Sequence, residues 1–187
     1  MPTPSASVCV FCGARAGADP QLAEIARETG RMLARENWRL VYGAGDIGLM
    51  GEVAKATQAA GGQAFGVVPQ HLMRREVARR DLSTLVITET MHERKKVMFT
   101  NSDAIVVLPG GAGTLDEFFE VLTWAQIGLH EKPVVLLDTQ GFWGPLLALI
   151  EHVVAQGFAE PSLRELFTAA PDIPSLTATL RARLSTG

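Results

Sequence analysis

The 187-residue chain has two cysteines, one tyrosine and four histidines. It has no uninterrupted apolar run approaching the roughly 18 residues that a membrane-spanning helix needs. Each shortage excludes something. Two cysteines cannot staple a small scaffold, and Cys9-x-x-Cys12 lies within a strand-like segment rather than opening a helix, as a thioredoxin-type pair does. An odd spacing in a strand turns the two side chains to opposite faces, so both read as buried thiols. A zinc site would need a second ligand pair, and the scattered histidines supply none at metal spacing. Basic charge is also short: 17 Lys and Arg against 20 Asp and Glu give a net charge of −3. A general nucleic-acid binder carries the opposite field. The first residues show no basic stretch followed by an apolar core, so no secretory leader is expected and the expected compartment is the cytoplasm.

What is abundant is glycine, 18 residues in all, above the usual share of about 7%. The glycines are not a linker. They punctuate a chain in which short apolar runs alternate with helical patterns. Strands are expected at 7–12, 39–42, 64–68, 82–88, 103–108 and 133–137. Helices are expected from Asp19-Pro20 onward, at 48–60, at 90–101 and at 114–129. The remainder reads as mainly helical, broken by Pro161, Pro171 and Pro174. Residues 1–6 are expected to be flexible and 159–187 to form a helical extension. Strand–helix alternation with short connections implies an α/β fold, a parallel sheet with helices on both faces, in a single domain. Such sheets bind ligands beyond the carboxyl ends of their strands, where the strand order reverses.

Much of the glycine falls in three loops at those ends: Cys12-Gly13-Ala14, the run 43–51, and Pro109-Gly110-Gly111-Ala112-Gly113-Thr114. Glycine lets backbone approach a ligand closely, and free N–H groups at a helix start favour a phosphate. The second loop, with Gly43, Gly45 and Gly48, formally matches G-x-G-x-x-G. It lies in the second strand–helix unit, however, and Val67-Val68-Pro69-Gln70 offers no acid for a ribose hydroxyl. A dinucleotide enzyme is therefore disfavoured, and so is a P-loop NTPase, since no lysine follows the third loop's glycines. Tight turns required by the fold alone are the remaining plain explanation.

Two charged residues stand out. Thr114-Leu115-Asp116-Glu117 has the form of a capping box, which would give Glu117 a structural role. The same position places a carboxylate one turn inside a helix whose start would cradle a phosphate. Leu115, Phe118, Leu122 and Leu129 form that helix's core stripe, with Glu117, Val121 and Trp124 on another face. The preceding helix opens with Arg94-Lys95-Lys96, which opposes the helix dipole and needs compensation, from a bound anion or from Glu89 and Glu93. Arg94 shares a face with Met91 and Met98.

These segments together resemble the LOG ("Lonely guy") family, the cytokinin riboside 5′-monophosphate phosphoribohydrolases. The resemblance rests on Met91-His92-Glu93-Arg94-Lys95, on Ser102-Asp103-Ala104 and on the PGGxGTxxE run 109–117. It extends over about residues 7–158 and includes Met73-Arg74-Arg75-Glu76 and Thr123-Trp124-Ala125-Gln126. It implies a Rossmann-like fold, a homodimer or higher assembly, and hydrolysis of the N-glycosidic bond of an N6-modified AMP to free base and ribose 5-phosphate, with no cofactor. The family's catalytic arginine and glutamate fall on Arg94 and Glu117. Its nucleotide contacts fall on Glu76, Lys95, Gly111, Ala112, Gly113, Thr114, Leu115, Asp116 and Thr123. Gly13, Gly43, Gly45 and Gly48 form a further candidate phosphate or ribose loop. Ala44 stands in the middle of a loop where the family often has three consecutive glycines, and Ala112 fills a slot often held by a larger side chain. Some relatives carry the label lysine decarboxylase, but no Schiff-base lysine with its partners is set out in the sequence. Two alternatives stay open at this level: a broader AMP or nucleotide nucleosidase, and a non-catalytic nucleotide or molybdenum-cofactor carrier on the same fold.

Overall fold

The strand at the centre of the sheet, β1 (Ala6–Phe11), is apolar and buried at nearly every position, the pattern of a parallel strand covered on both sides. The computed structural model describes residues 3–73 and 82–185. Around β1 are β2 (Trp38–Tyr42), β3 (Ala64–Pro69), β4 (Thr84–Thr88), β5 (Ala104–Val107), β6 (Val134–Leu137) and β7 (Thr168–Ala170). They form one sheet in the order β4-β3-β2-β1-β5-β6-β7, and every neighbouring pair is parallel. The order reverses between β1 and β5, which places the switch point, and the ligand crevice expected there, at the carboxyl ends of those two strands.

Alternation along the strands divides the core in two. Val8, Val10 and Cys12 pack with α1 (Gln21–Arg35), α2 (Gly48–Ala59) and α6 (Ile173–Leu184). Cys9 and Phe11 pack on the other face with α3 (Met91–Thr100), α4 (Ala112–Gln126) and α5 (Gly144–Ala155). The two thiols are free and buried on opposite faces, as the odd spacing requires. Burial pushes both thiols well above the ordinary cysteine range, and the nearby Glu117 carboxylate raises them further. Neither is poised as a thiolate nucleophile.

Helix ends follow local chemistry. Asp19 accepts from the Gln21 N–H at 2.8 Å, and Asp172 caps α6 by accepting from the Ser175 N–H at 2.8 Å. The end of α3 and the turn after it are tied down from outside the helix. Lys132 Nζ donates to Phe99 O and Ser102 O, both at 2.6 Å, with its ammonium 4.0 Å from the centre of the Phe99 ring. Burial lowers the pKa of Lys132. Among the described residues no helix is long and apolar enough to cross a membrane.

At the N-terminal end Asn37 Nδ2 donates to Thr3 O at 2.9 Å, and Ser5 N–H to Asn37 O at 2.9 Å. Within 159–187, β7 pairs with β6 ahead of α6. One expectation changes. Leu129 lies past the end of α4 and is exposed, so it is not part of that helix's core stripe. Phe118, Val121 and Leu122 carry the α4 packing, each contributing about 1.5–3 kcal/mol by burial.

Candidate active site

The three glycine loops meet at Gly13. Its N–H donates to Pro109 O at 3.0 Å, linking the loops after β1 and β5. Its carbonyl accepts from Leu49 N–H at 3.0 Å and Met50 N–H at 3.4 Å, linking the start of α2 to the same point. A cavity of about 570 Å³ opens beside this junction, lined by Gly13, Gly43, Arg94, Gly111, Glu117 and Phe142 among others. That volume is in the range of small-molecule sites.

The junction divides the loops by role. The first amides of α2 are satisfied by the Gly13 carbonyl, so the G-x-G-x-x-G loop spends its helix start on another loop. Gly45 and Gly48 do not line the cavity, while Gly13 and Gly43 do. The start of α4 is different. Its N-cap is Gly111, and no side chain caps it. A Cβ on Gly111 or Gly113 would meet no atom within 4 Å. Their backbone therefore faces open space, with the first-turn N–H groups and the positive end of the dipole beside it.

Arg94 reaches the cavity from α3. It is buried, and its Nη2 donates to Gly43 O at 2.9 Å, at the carboxyl end of β2. Its Nη1 lies 3.8 Å from Met91 Sδ. Glu117, half-buried, comes from the second turn of α4. The capping-box reading of Thr114 is overturned. Helix α4 begins at Ala112, which puts Thr114 inside the first turn with its side chain packed over Gly110, so Glu117 has no cap to serve. The same motif is realised one helix earlier. Thr90 Oγ1 accepts from Glu93 N–H at 3.1 Å, and Glu93 Oε2 accepts from Thr90 N–H at 3.2 Å. Glu93 thus places a carboxylate at the start of α3, beside the basic run.

Lys95 does not itself line the cavity, although its partner Asp116 does. Its Nζ lies 2.9 Å from Asp116 Oδ2 and 2.8 Å from Glu120 Oε2. Burial alone would depress its pKa, but the hydrogen bonds to Glu120 and Asp116 outweigh that and hold it above the usual lysine range. A Schiff-base lysine needs the reverse, a depressed pKa and a free amine.

Of the residues singled out in the sequence, Arg94, Glu117, Gly111, Ala112, Gly113, Thr114, Asp116, Gly13 and Gly43 line one cavity. Leu115 packs at the edge of the core instead. Thr123 is exposed, with its hydroxyl bonded to Phe119 O at 2.7 Å. It lies about 9 Å along α4 from Glu117 and outside its own chain's cavity. Glu76 falls outside the described residues. Phe142, Leu72, Leu22 and Met50 line the cavity but were not singled out as site residues. Phe142 follows β6, whose carboxyl end adjoins that of β5, and that position was the available signal.

The chain is similar to proteins already known. The profile of a family described as "Possible lysine decarboxylase" matches residues 50–180. A protein of Oryza sativa subsp. japonica named "Probable cytokinin riboside 5'-monophosphate phosphoribohydrolase" is 48% identical over 169 residues, covering 90% of this chain and 74% of its own. One of Rhodococcoides fascians named cytokinin riboside 5′-monophosphate phosphoribohydrolase is 43% identical over 182 residues, covering 97% and 91%. Among solved structures, the molybdenum cofactor carrier protein of Chlamydomonas reinhardtii superposes with a TM-score of 0.73 at 23% identity, covering 98% and 99% of the two chains. At that identity the likeness is one of fold.

Proposed function

The chain belongs to the family of the cytokinin riboside 5′-monophosphate phosphoribohydrolases, the LOG family, and from that premise we propose that it hydrolyses the N-glycosidic bond of N6-modified adenosine 5′-monophosphates. Water is consumed, and the free base and ribose 5-phosphate are released. The observation that carries this reading is the meeting of Arg94, Glu117 and the uncapped start of α4 around one cavity.

In the proposed mechanism the 5′-phosphate rests on the N–H groups of Gly111, Gly113 and Thr114. The open space in front of Gly111 and Gly113 leaves room for its oxygens. Glu117, one turn along the same helix, then faces the ribose. Its carboxylate stabilises oxocarbenium-like charge at the anomeric carbon or takes a proton from the attacking water. Arg94 is anchored at the end of β2, two strands from β5. Two strand spacings are about 10 Å, which favours the ribose and base end of the nucleotide over its phosphate. There the guanidinium offers positive charge as the base departs. Leu72, Met91, Met98 and Phe142 give the cavity an apolar side suited to an apolar N6 substituent.

The proposal includes a homodimer and a cytoplasmic setting. The dimer is supported by an exposed apolar row on α4 and just beyond it, Phe119, Ile127 and Leu129. Two free, buried cysteines fit a reducing compartment.

Incubating the protein with isopentenyl-AMP, AMP, CMP and the matching nucleosides tests the reading. Free base and ribose 5-phosphate are expected from isopentenyl-AMP. Glu117→Gln is expected to lose at least about 100-fold in rate while keeping its thermal transition. Release from AMP as readily as from isopentenyl-AMP would point to a broader nucleosidase. Release from nucleosides as readily as from monophosphates would overturn the phosphate cradle. No release from any of them would favour a carrier.

A further inference from the structure

The residues next to the two proposed catalytic groups are bonded to each other. Arg94 is followed by Lys95 on α3, and Glu117 is preceded by Asp116 on α4. Lys95 Nζ bridges Asp116 Oδ2 and Glu120 Oε2 at 2.9 and 2.8 Å. Asp116 and Glu120 are four apart, so they lie on one face of α4 and present two acceptors to one ammonium. Adjacent helix positions differ by about 100°. The bridge therefore sits on the flank of the two helices while Arg94 and Glu117 turn to the cavity. The Lys95 side chain is only 9% exposed, and neither Lys95 nor Glu120 lines the cavity.

The far end of α3 has its own anchors. Phe99 stands edge-on to Trp124 of α4 at 4.9 Å, and Lys132 holds the Phe99 carbonyl and the Ser102 carbonyl just past the helix. The near end, which carries Arg94, is fixed by Arg94's bond to Gly43 O and by the Lys95 bridge. We infer that Lys95 is a positioning residue: with Asp116 and Glu120 it sets the first turn of α3 against the first turns of α4, and so sets Arg94 opposite Glu117. This rests on the proposed phosphoribohydrolase reading for its catalytic readout only.

Glu120 is the discriminating position, because it touches the bridge and not the cavity. Lys95→Gln and Glu120→Gln are expected to lower kcat by similar factors, about tenfold or more. The KM for isopentenyl-AMP and the Kd for AMP should stay within about threefold, and the double variant should be little worse than either single one. Lys95→Arg, which can still bridge two carboxylates, is expected to recover most of the loss. Should Lys95→Gln fail to fold, Glu120→Gln alone decides: a kcat equal to the starting protein's overturns the inference. So does a Lys95→Gln variant whose KM rises about tenfold or more with kcat preserved. Amide hydrogen exchange gives a readout independent of turnover. Glu120→Gln should speed exchange in the first half of α3 and leave the last turn unchanged, and unchanged exchange in the first half overturns the inference. If the starting protein releases no base from any nucleotide, the functional reading fails while the exchange experiment still judges the bridge.

Discussion

Nη2 of Arg94 donates to the carbonyl of Gly43 at 2.9 Å and lies 1.8 Å from the point where a Cβ on residue 43 would stand. The glycine at the end of β2 is thus the seat of the guanidinium. The absence of a side chain at this position lets a charged group 51 residues away in sequence lie flat on the strand end. Gly43→Ala is expected to displace Arg94 by about an ångström or more and to lower kcat/KM roughly 100-fold. The thermal transition should change much less than the rate. Steady-state assay beside calorimetry separates the two, and an active Gly43→Ala variant would remove Arg94's anchored position from the mechanism.

Phe142 is held toward the cavity by an unusual stretch of backbone. Gln140 and Gly141 both have positive φ, 59° and 71°, and Gln140 Nε2 donates to Gln21 Oε1 at the start of α1. Asp138 accepts from the Trp143 N–H at 2.7 Å, and the Phe142 ring stands edge-on to Trp143 at 4.8 Å. A non-glycine residue in the left-handed region costs about 1 kcal/mol, which the loop sustains while leaving an aromatic ring 41% exposed beside a ligand-sized space. Phe142→Ala is expected to reduce kcat/KM for isopentenyl-AMP about tenfold more than for AMP. Competition between the two substrates measures the ratio. An equal fall for both would make Phe142 a packing residue only.

The strands were legible because β-branched and apolar runs buried on both faces look like little else; β1, β2, β3 and β5 lie within two residues of their expected bounds. β7 was not legible. Thr168-Ala169-Ala170 is three small residues on a sheet edge, paired only because β6 offers an open side. The start of α4 was misplaced for a different reason. S/T-x-x-E motifs occur at Thr90, at Thr114 and at Ser162, and local sequence cannot tell which of them caps a helix. The extended backbone at Gly111, φ −101° and ψ −153°, starts the second helix early and puts Thr114 inside its first turn rather than at its cap. Arg94 and Glu117 could be singled out from motif and placement. The ion pairs of Lys95 with Asp116 and Glu120 were not legible, because these partners, one turn apart on another helix, are visible only in three dimensions.

The tie between α6 and α1 sets an acid-side prediction. Arg181 donates to Glu36 through Nε at 2.7 Å and Nη2 at 2.6 Å. The Glu36 carboxyl is held below the usual carboxylate range chiefly by those hydrogen bonds, against an opposing effect of burial. A depressed folded-state pKa means the pair's contribution is present above the unfolded value of about 4.3 and is lost as pH falls through the folded one. Glu36→Gln is therefore expected to melt a few degrees lower at pH 7, with the gap closing as the pH drops below the carboxylate range. A gap that stays constant with pH would assign the loss to packing rather than to the ion pair.

Ala44 raises a question that its neighbour answers. It is fully buried at φ 60°, where glycine would sit without strain. A Cβ built on Gly66 would lie 2.8 Å from the Ala44 Cβ and 2.4 Å from Leu82 Cδ1. The space between the end of β2 and the middle of β3 thus holds one methyl, and Ala44 supplies it. For Ala44→Gly, relief of about 1 kcal/mol of left-handed strain is set against loss of about 0.8 kcal/mol of buried methyl, so stability should hardly move. Gly66→Ala should destabilise by about 2 kcal/mol from overpacking. Combining the two moves the methyl from one strand to the other and should recover about 1 kcal/mol of that loss, a coupling readable by a double-mutant cycle in urea. Recovery should stay incomplete, because Leu82 and the Ala44 Cα, 3.3 Å from the new Cβ, remain. Strict additivity of the two substitutions would mean that Leu82, not Ala44, excludes a side chain from position 66.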